Sequence, residues 1–107
     1  MTNREVSSVL LKAAAIVRKG WCTGAPAKDA EGRPCGPRDK QAVAWCAIGA
    51  IQKVCGGPED GYEARYALRL VLPNFNQSVQ EWNDVWAKDG EHVAEMFEKA
   101  AKQEHRS

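Results

Sequence analysis

The stretch Ala42-Val43-Ala44-Trp45-Cys46-Ala47-Ile48-Gly49-Ala50-Ile51 runs for ten residues without a charge. Read at helical spacing, Val43, Cys46, Ala47, Ala50, Ile51 and Val54 line one face, while Trp45, Ile48 and Gly49 occupy the other. A helix apolar all round is packed on several sides, so this segment, from about 40 to 55, is expected at the centre of the fold. A buried strand is the competing reading, but the alanine content and the length favour a helix. Asp39 stands ready as its cap, and Gly56-Gly57 as its end.

Outward from that segment, the other helices announce themselves by period and punctuation. Thr2-Asn3-Arg4-Glu5 has the spacing of a capping box, and Val6, Val9, Leu10, Ala13 and Val17 recur after it on one face. Gly20 predicts a left-handed stop, with Trp21 folding back onto Ile16, which gives a first helix over about 3–19. Pro58 opens a further helix and Pro73 closes it, with Ala64, Ala67, Leu68 and Val71 as its apolar stripe. A short fourth helix carries Val79, Trp82 and Trp86. A fifth, after Asp89-Gly90, turns Val93, Met96, Phe97 and Ala100 inward, and its tail should fray from about 103. Residues 21–38 hold Gly24, Pro26, Gly32, Pro34, Gly36 and Pro37, so they read as a long irregular loop, with a short hairpin around Ala30–Arg33 as one option. The expected architecture is therefore all-α, a single domain spanning residues 1–107 with four to five helices around the 40–55 helix.

Composition agrees with close helix packing around a few large plugs. Alanine occurs sixteen times, Leu, Ile, Val and Phe together only nineteen, and there are four tryptophans. Fifteen basic against fourteen acidic residues leave a net charge of +1, which argues against a polyanion-binding role, so nucleic acid is not an expected partner. The charge is uneven, with nine bases and four acids in 1–57 and six bases and ten acids in 58–107. Val9–Val17, interrupted by Lys12, is too short to cross a bilayer and lacks the layout of a secretory signal, so a cytoplasmic protein without membrane contact is expected.

Cys22, Cys35, Cys46 and Cys55 lack any C-x-x-C pair, and Cys46 and Cys55 on one helix would point to opposite sides. No metal site and no cofactor are expected. Cys22 and Cys35 flank one loop and could pair reversibly. Cys46, about seven residues past the expected cap, lies too deep to gain from the helix dipole as a nucleophile. No phosphate-binding loop occurs, because Cys55-Gly56-Gly57-Pro58 lacks the Lys-Ser/Thr that should come next.

Two sets of residues stand out as candidate sites. Trp82-Asn83-Asp84, with Trp21 and His92, has the groups to hold a nucleotide-like or sugar-like ligand: an aromatic platform, an amide, a carboxylate and an imidazole among Asp89, Glu91 and Glu95. The structural alternative makes Trp82 a core anchor, Asn83 a left-handed helix end and Asp84 a cap. Tyr62, Arg65, Tyr66 and Arg69 lie within one arc of their helix and form a candidate partner surface, since tyrosine and arginine combine apolar area with donors.

Gly20-Trp21, Trp45-Cys46-Ala47-Ile48-Gly49-Ala50 and Trp82-Asn83-Asp84, in that order, resemble a family of small uncharacterised bacterial and phage proteins. That family is marked by a Gly-Trp after the first helix, a W-C-A-[IL]-G-A helix and a W-N-D near the last one. Its Asp-Gly-Arg-like turn is matched by Glu31-Gly32-Arg33. Its Gly-Arg-Thr-like turn after W-N-D is replaced here by Val85-Trp86-Ala87-Lys88-Asp89. The resemblance implies an all-helical domain of bacterial or phage origin and brings no activity with it. The functional expectation is a non-catalytic interaction module, such as a phage or mobile-element accessory protein, acting on a host protein or small ligand. The alternative is a small-ligand pocket or small enzyme built around Trp82-Asn83-Asp84.

Overall fold

The first helix, α1, forms over Asn3–Lys19 as its period predicts, and Thr2 and Glu5 close the expected capping box. In the computed structural model, which describes residues 2–56, 61–73 and 78–106, α1 is the element around which the rest assembles. It packs along α5 (Gly90–Arg106) and also touches α2 (Ala47–Cys55), α3 (Tyr62–Val71) and the sheet. The Ser7 hydroxyl donates to the Ala101 carbonyl at 3.1 Å, while Arg18 reaches Glu91 and Glu98 at 2.8 Å each. The start of α1 thus meets the end of α5, and the pair is antiparallel. Val6, Leu10, Ala13 and Val17 from α1 and Val93, Phe97 and Ala100 from α5 are buried between them, with Met96 partly so. Burial of these faces is the main term stabilising both helices.

The segment expected to form the central helix behaves differently. Ala44–Trp45 is a strand, β3, and the helix begins only at Ala47, with Cys46 rather than Asp39 as its N-cap. Val43, assigned to the buried face, is half exposed. The cause is long-range pairing. β3 runs antiparallel to β1 (Ala27–Lys28), which is paired on its other side with β2 (Pro34–Cys35). The fold is therefore mostly helical with a small three-stranded sheet, not all-α, and the loop 21–38 carries two of the strands. Its hairpin turn is organised by Asp29, whose carboxylate accepts from the Glu31 and Arg33 backbone N–H groups while Gly32 takes a positive φ of 79°. Asp39, the expected helix cap, instead accepts from the Gly36 N–H at 2.8 Å within the next turn.

Gly20 is not a left-handed stop. Its backbone is extended, and a side chain there would overlap the Val43 carbonyl, so glycine permits the end of α1 to lie against β3. Gly49 answers the same need at the start of α2, where a Cβ would overlap the Pro26 carbonyl oxygen. The chain leaves α1 extended rather than in a Schellman ending, and Trp21 bridges in parallel to Trp45.

α3 starts at Tyr62 after Gly61, and Ala64, Ala67, Leu68 and Val71 are buried as its stripe predicts. The expected opening at Pro58 lies outside the described residues. A three-residue α4 (Val79–Glu81) leads into a π-helical turn over Trp82–Trp86, closed by the Ala87 N–H donating to the Trp82 carbonyl at 2.9 Å. α5 extends to Arg106. The radius of gyration, 12.5 Å, is close to the ~13 Å of a single domain of this length.

Candidate functional site

The widened π-helical turn decides where the Trp82-Asn83-Asp84 side chains go. Trp82 and Asn83 point into the protein, at 1% and 0% exposure, while Val85 and Trp86 are left on the surface. Asn83 then sits where three distant segments converge. Its Oδ1 accepts from the Trp21 indole N–H at 2.8 Å and from the Ala47 backbone N–H at 3.0 Å. Its Nδ2 donates to the Cys22 carbonyl at 3.2 Å and to the Asp84 carboxylate at 3.0 Å. An amide side chain offers two acceptor and two donor positions, and all four are occupied by the protein itself. The Ala47 N–H is one of the orphan donors at the start of α2, so Asn83 caps that helix from another part of the chain.

Asp84 adds a second tie to the same loop, accepting from the Gly24 N–H at 3.1 Å. It is therefore bonded backwards, to the 20–25 segment, and is not a cap for the residues after it. Asn83 does not take a left-handed conformation either; among the described residues no non-glycine has a positive φ. Trp82 fits the core-anchor reading, and it packs in a T-shaped arrangement with the His92 ring, centroids 5.3 Å apart. His92 Nδ1 accepts from the Lys88 N–H at 3.1 Å, and Asp89 caps α5 by accepting from the His92 N–H at 2.7 Å.

The structure thus links Trp21, Asn83 and Asp84 by hydrogen bonds and joins Trp82 to His92 by ring contact. The polar atoms of Trp21, Asn83 and Asp84 face one another, while His92 Nδ1 is turned to the Lys88 N–H. An open cleft borders Trp21, but its other walls are Val17, Arg18, Gly20, Asp89, Gly90 and Glu91. Sequence reasoning missed the Cys22 carbonyl and the Ala47 N–H as partners of Asn83. Being main-chain groups, they leave no residue signature.

Cys46, expected deep inside a helix, stands at its N-terminus, where its Sγ accepts from the Gly49 N–H at 3.4 Å. Burial nevertheless pushes its thiol up, outweighing that hydrogen bond. Burial, and then the neighbouring Cys46, push the Cys22 thiol up to about 11. Neither sulfur has the thiolate character of a nucleophile at neutral pH. Among the described residues, no group of three or more His, Cys, Asp or Glu could hold a metal ion, and no helix is long and apolar enough to cross a membrane.

The second candidate set is arranged on an open face. Tyr62 and Tyr66 project from α3 at 70% and 62% exposure. The Arg65 guanidinium lies over the Tyr62 ring, 5.6 Å from its centre. Both tyrosines, Arg65 and Arg69 line a cavity of about 220 Å³ whose far wall is Ser78 and Val79. On the other flank, Tyr62 and Tyr66 border a groove toward Val6, Leu70 and Glu104. The residues singled out on this helix therefore do form one continuous surface, because its buried alanine stripe presses the opposite side of α3 into the core.

No curated protein and no solved structure matches the chain. Its three motifs are parts of one hydrogen-bonded junction, drawn from both halves of the domain. The chain belongs to a family of unknown function, DUF6197, whose model matches residues 1–103.

Proposed function

We propose that the protein is a non-catalytic binding module that docks an acidic segment of a partner protein on the exposed face of α3. The observation that carries this reading is the pair of tyrosines held well over half exposed beside Arg65 and Arg69 around one cavity. Tyr and Arg are the residue types that concentrate binding energy at interfaces, and the Arg65 guanidinium over the exposed Tyr62 ring matches a carboxylate. In a bacterial or phage setting the partner would be a host protein met in the cytoplasm, and the thiols of Cys22, Cys35 and Cys46 suit that reducing compartment.

The test compares wild type with an Arg65→Glu/Arg69→Glu variant in capture from host lysate. A partner that binds wild type, weakens with salt and is lost by the variant, with thermal unfolding unchanged, supports the assignment. A partner retained by the variant removes this face from consideration.

A second reading places a small ligand at the cleft beside Trp21, whose indole is half buried and tied to Asn83. It predicts extra mass in native mass spectrometry that disappears on denaturation. A bare chain under native conditions rejects it.

A further inference from the structure

Trp21 and Trp45 form a parallel β-bridge, held by the Trp45 N–H donating to the Gly20 carbonyl at 3.0 Å and the Cys22 N–H donating to the Trp45 carbonyl at 3.2 Å. One step along both segments stand Cys22 and Cys46. The bridge is isolated: beyond it the Asn83 amide joins the Cys22 carbonyl to the Ala47 N–H, so the two segments part at the next rung. Cys22 and Cys46 still flank the bond from the Cys22 N–H to the Trp45 carbonyl, with alternation turning their side chains to the side opposite Trp21 and Trp45. Paired strands lie about 4.8 Å apart, toward the short end of the ~4.4–6.8 Å between Cα atoms that a disulfide spans, which leaves room for that parting. Both residues are buried, at 8% and 4% exposure. Both residues also meet the Ala25–Pro26 main chain, where the Cys46 N–H donates to the Pro26 carbonyl at 3.1 Å. Cys22 Sγ contacts the Ala25 carbonyl at 3.6 Å, and Cys46 Sγ accepts from Gly49, whose Cα packs against Pro26. Electrostatic coupling agrees, since Cys46 is the ionisable neighbour that most strongly raises the Cys22 thiol. Cys35, the partner suggested by loop position, is on β2 at the far edge of the sheet, with β1 and β3 between it and Cys22.

We infer that Cys22 and Cys46 are a cross-linking pair, held in register as thiols and convertible by a peroxide into a disulfide. The small fraction of one cysteine that is deprotonated attacks a peroxide oxygen, so that an S–O bond forms, the O–O bond breaks and the leaving hydroxide takes up a proton as water. The second sulfur then displaces the oxygen of the sulfenic acid, forming the S–S bond and releasing a second water. Two thiols lose two electrons and one peroxide gains them. The raised thiols make the first step slow, so the pair responds to sustained rather than transient oxidant. The bond would tie the 20–25 segment to the start of α2 on either side of the Asn83 contacts.

The test uses a Cys35→Ser/Cys55→Ser variant, treated with hydrogen peroxide in its folded state, alkylated after unfolding and digested with trypsin. Trypsin leaves every cysteine of the chain in a separate peptide. The expected result is peptide 20–28 joined to peptide 41–53, an intact mass lower by two hydrogens, and a Tm raised by roughly 10 °C or more through closure of the intervening loop. Thiols that gain oxygen without joining, or that both remain alkylatable, overturn the inference. So does a joined pair with a lowered Tm, because the register argument requires an unstrained bond. In wild type, joining of 20–28 to 29–38 instead would overturn it as well.

Discussion

Replacing Asn83 by alanine should unfold this protein more readily than any exposed substitution, and the structure says by how much. Four hydrogen bonds are removed, but their partners are not equally placed. The Trp21 indole N–H is half buried and the Asp84 carboxylate is exposed, so water replaces the amide at both. The Ala47 N–H and the Cys22 carbonyl are buried. Each buried group left without a partner costs about 1–3 kcal/mol, which gives roughly 4 kcal/mol for the two. Against a total stability of about 5–15 kcal/mol, that is a large fraction. For a domain of this size it corresponds to a Tm lower by roughly 15–20 °C.

The assay is urea unfolding followed by far-ultraviolet circular dichroism, with Asp84→Asn as the comparison. That substitution keeps an oxygen for the Gly24 N–H and should cost under about 1 kcal/mol. An Asn83→Ala loss below about 1 kcal/mol would refute the reasoning, because it would mean that water satisfies the junction as well as the amide does. An Asn83→Ala protein of normal stability that lost a bound ligand would move the residue from the scaffold to the site.

Three further outcomes are expected. Arg18, through its hydrogen bonds, lowers the carboxyl pKa of both Glu91 and Glu98. Their contribution to stability is complete above the unfolded glutamate pKa and is lost as pH falls through the lower folded values; a Tm–pH profile should show this acid limb, shallower in Arg18→Ala and at high salt. Gly49→Ala should destabilise by about 1–3 kcal/mol despite alanine's higher helix propensity, because its methyl group must displace the Pro26 carbonyl; a chemical denaturation curve with unchanged midpoint would contradict the close approach. In the folded protein at neutral pH, iodoacetamide should modify the partly exposed Cys35 before Cys22 and Cys46, which burial protects and whose thiols it raises; peptide mapping over time gives the order.

Local chemistry was enough wherever an element's reason for forming lies within its own residues. The α1 capping box, the buried stripes of α1, α3 and α5, and the continuous Tyr62-Arg65-Tyr66-Arg69 surface all come from a period of 3.6 and a few terminal residues. The hairpin near residues 30–33 was legible as an option, since Asp29 and Gly32 serve a turn that spans only five residues. The segment around Trp45 was not. A two-residue strand has no period to read, and its apolar, alanine-rich context suits helix and strand alike. What made Ala44–Trp45 a strand is hydrogen bonding to Gly20 and β1, residues that become neighbours only after the chain folds. The same holds for Asn83. The sequence marks Trp82-Asn83-Asp84 as unusual, but its amide is defined by partners 36 to 62 residues away. Two of these are main-chain groups, with no side chain to announce them. Tertiary packing put those groups out of reach of water, and that burial makes Asn83 the keystone of a junction.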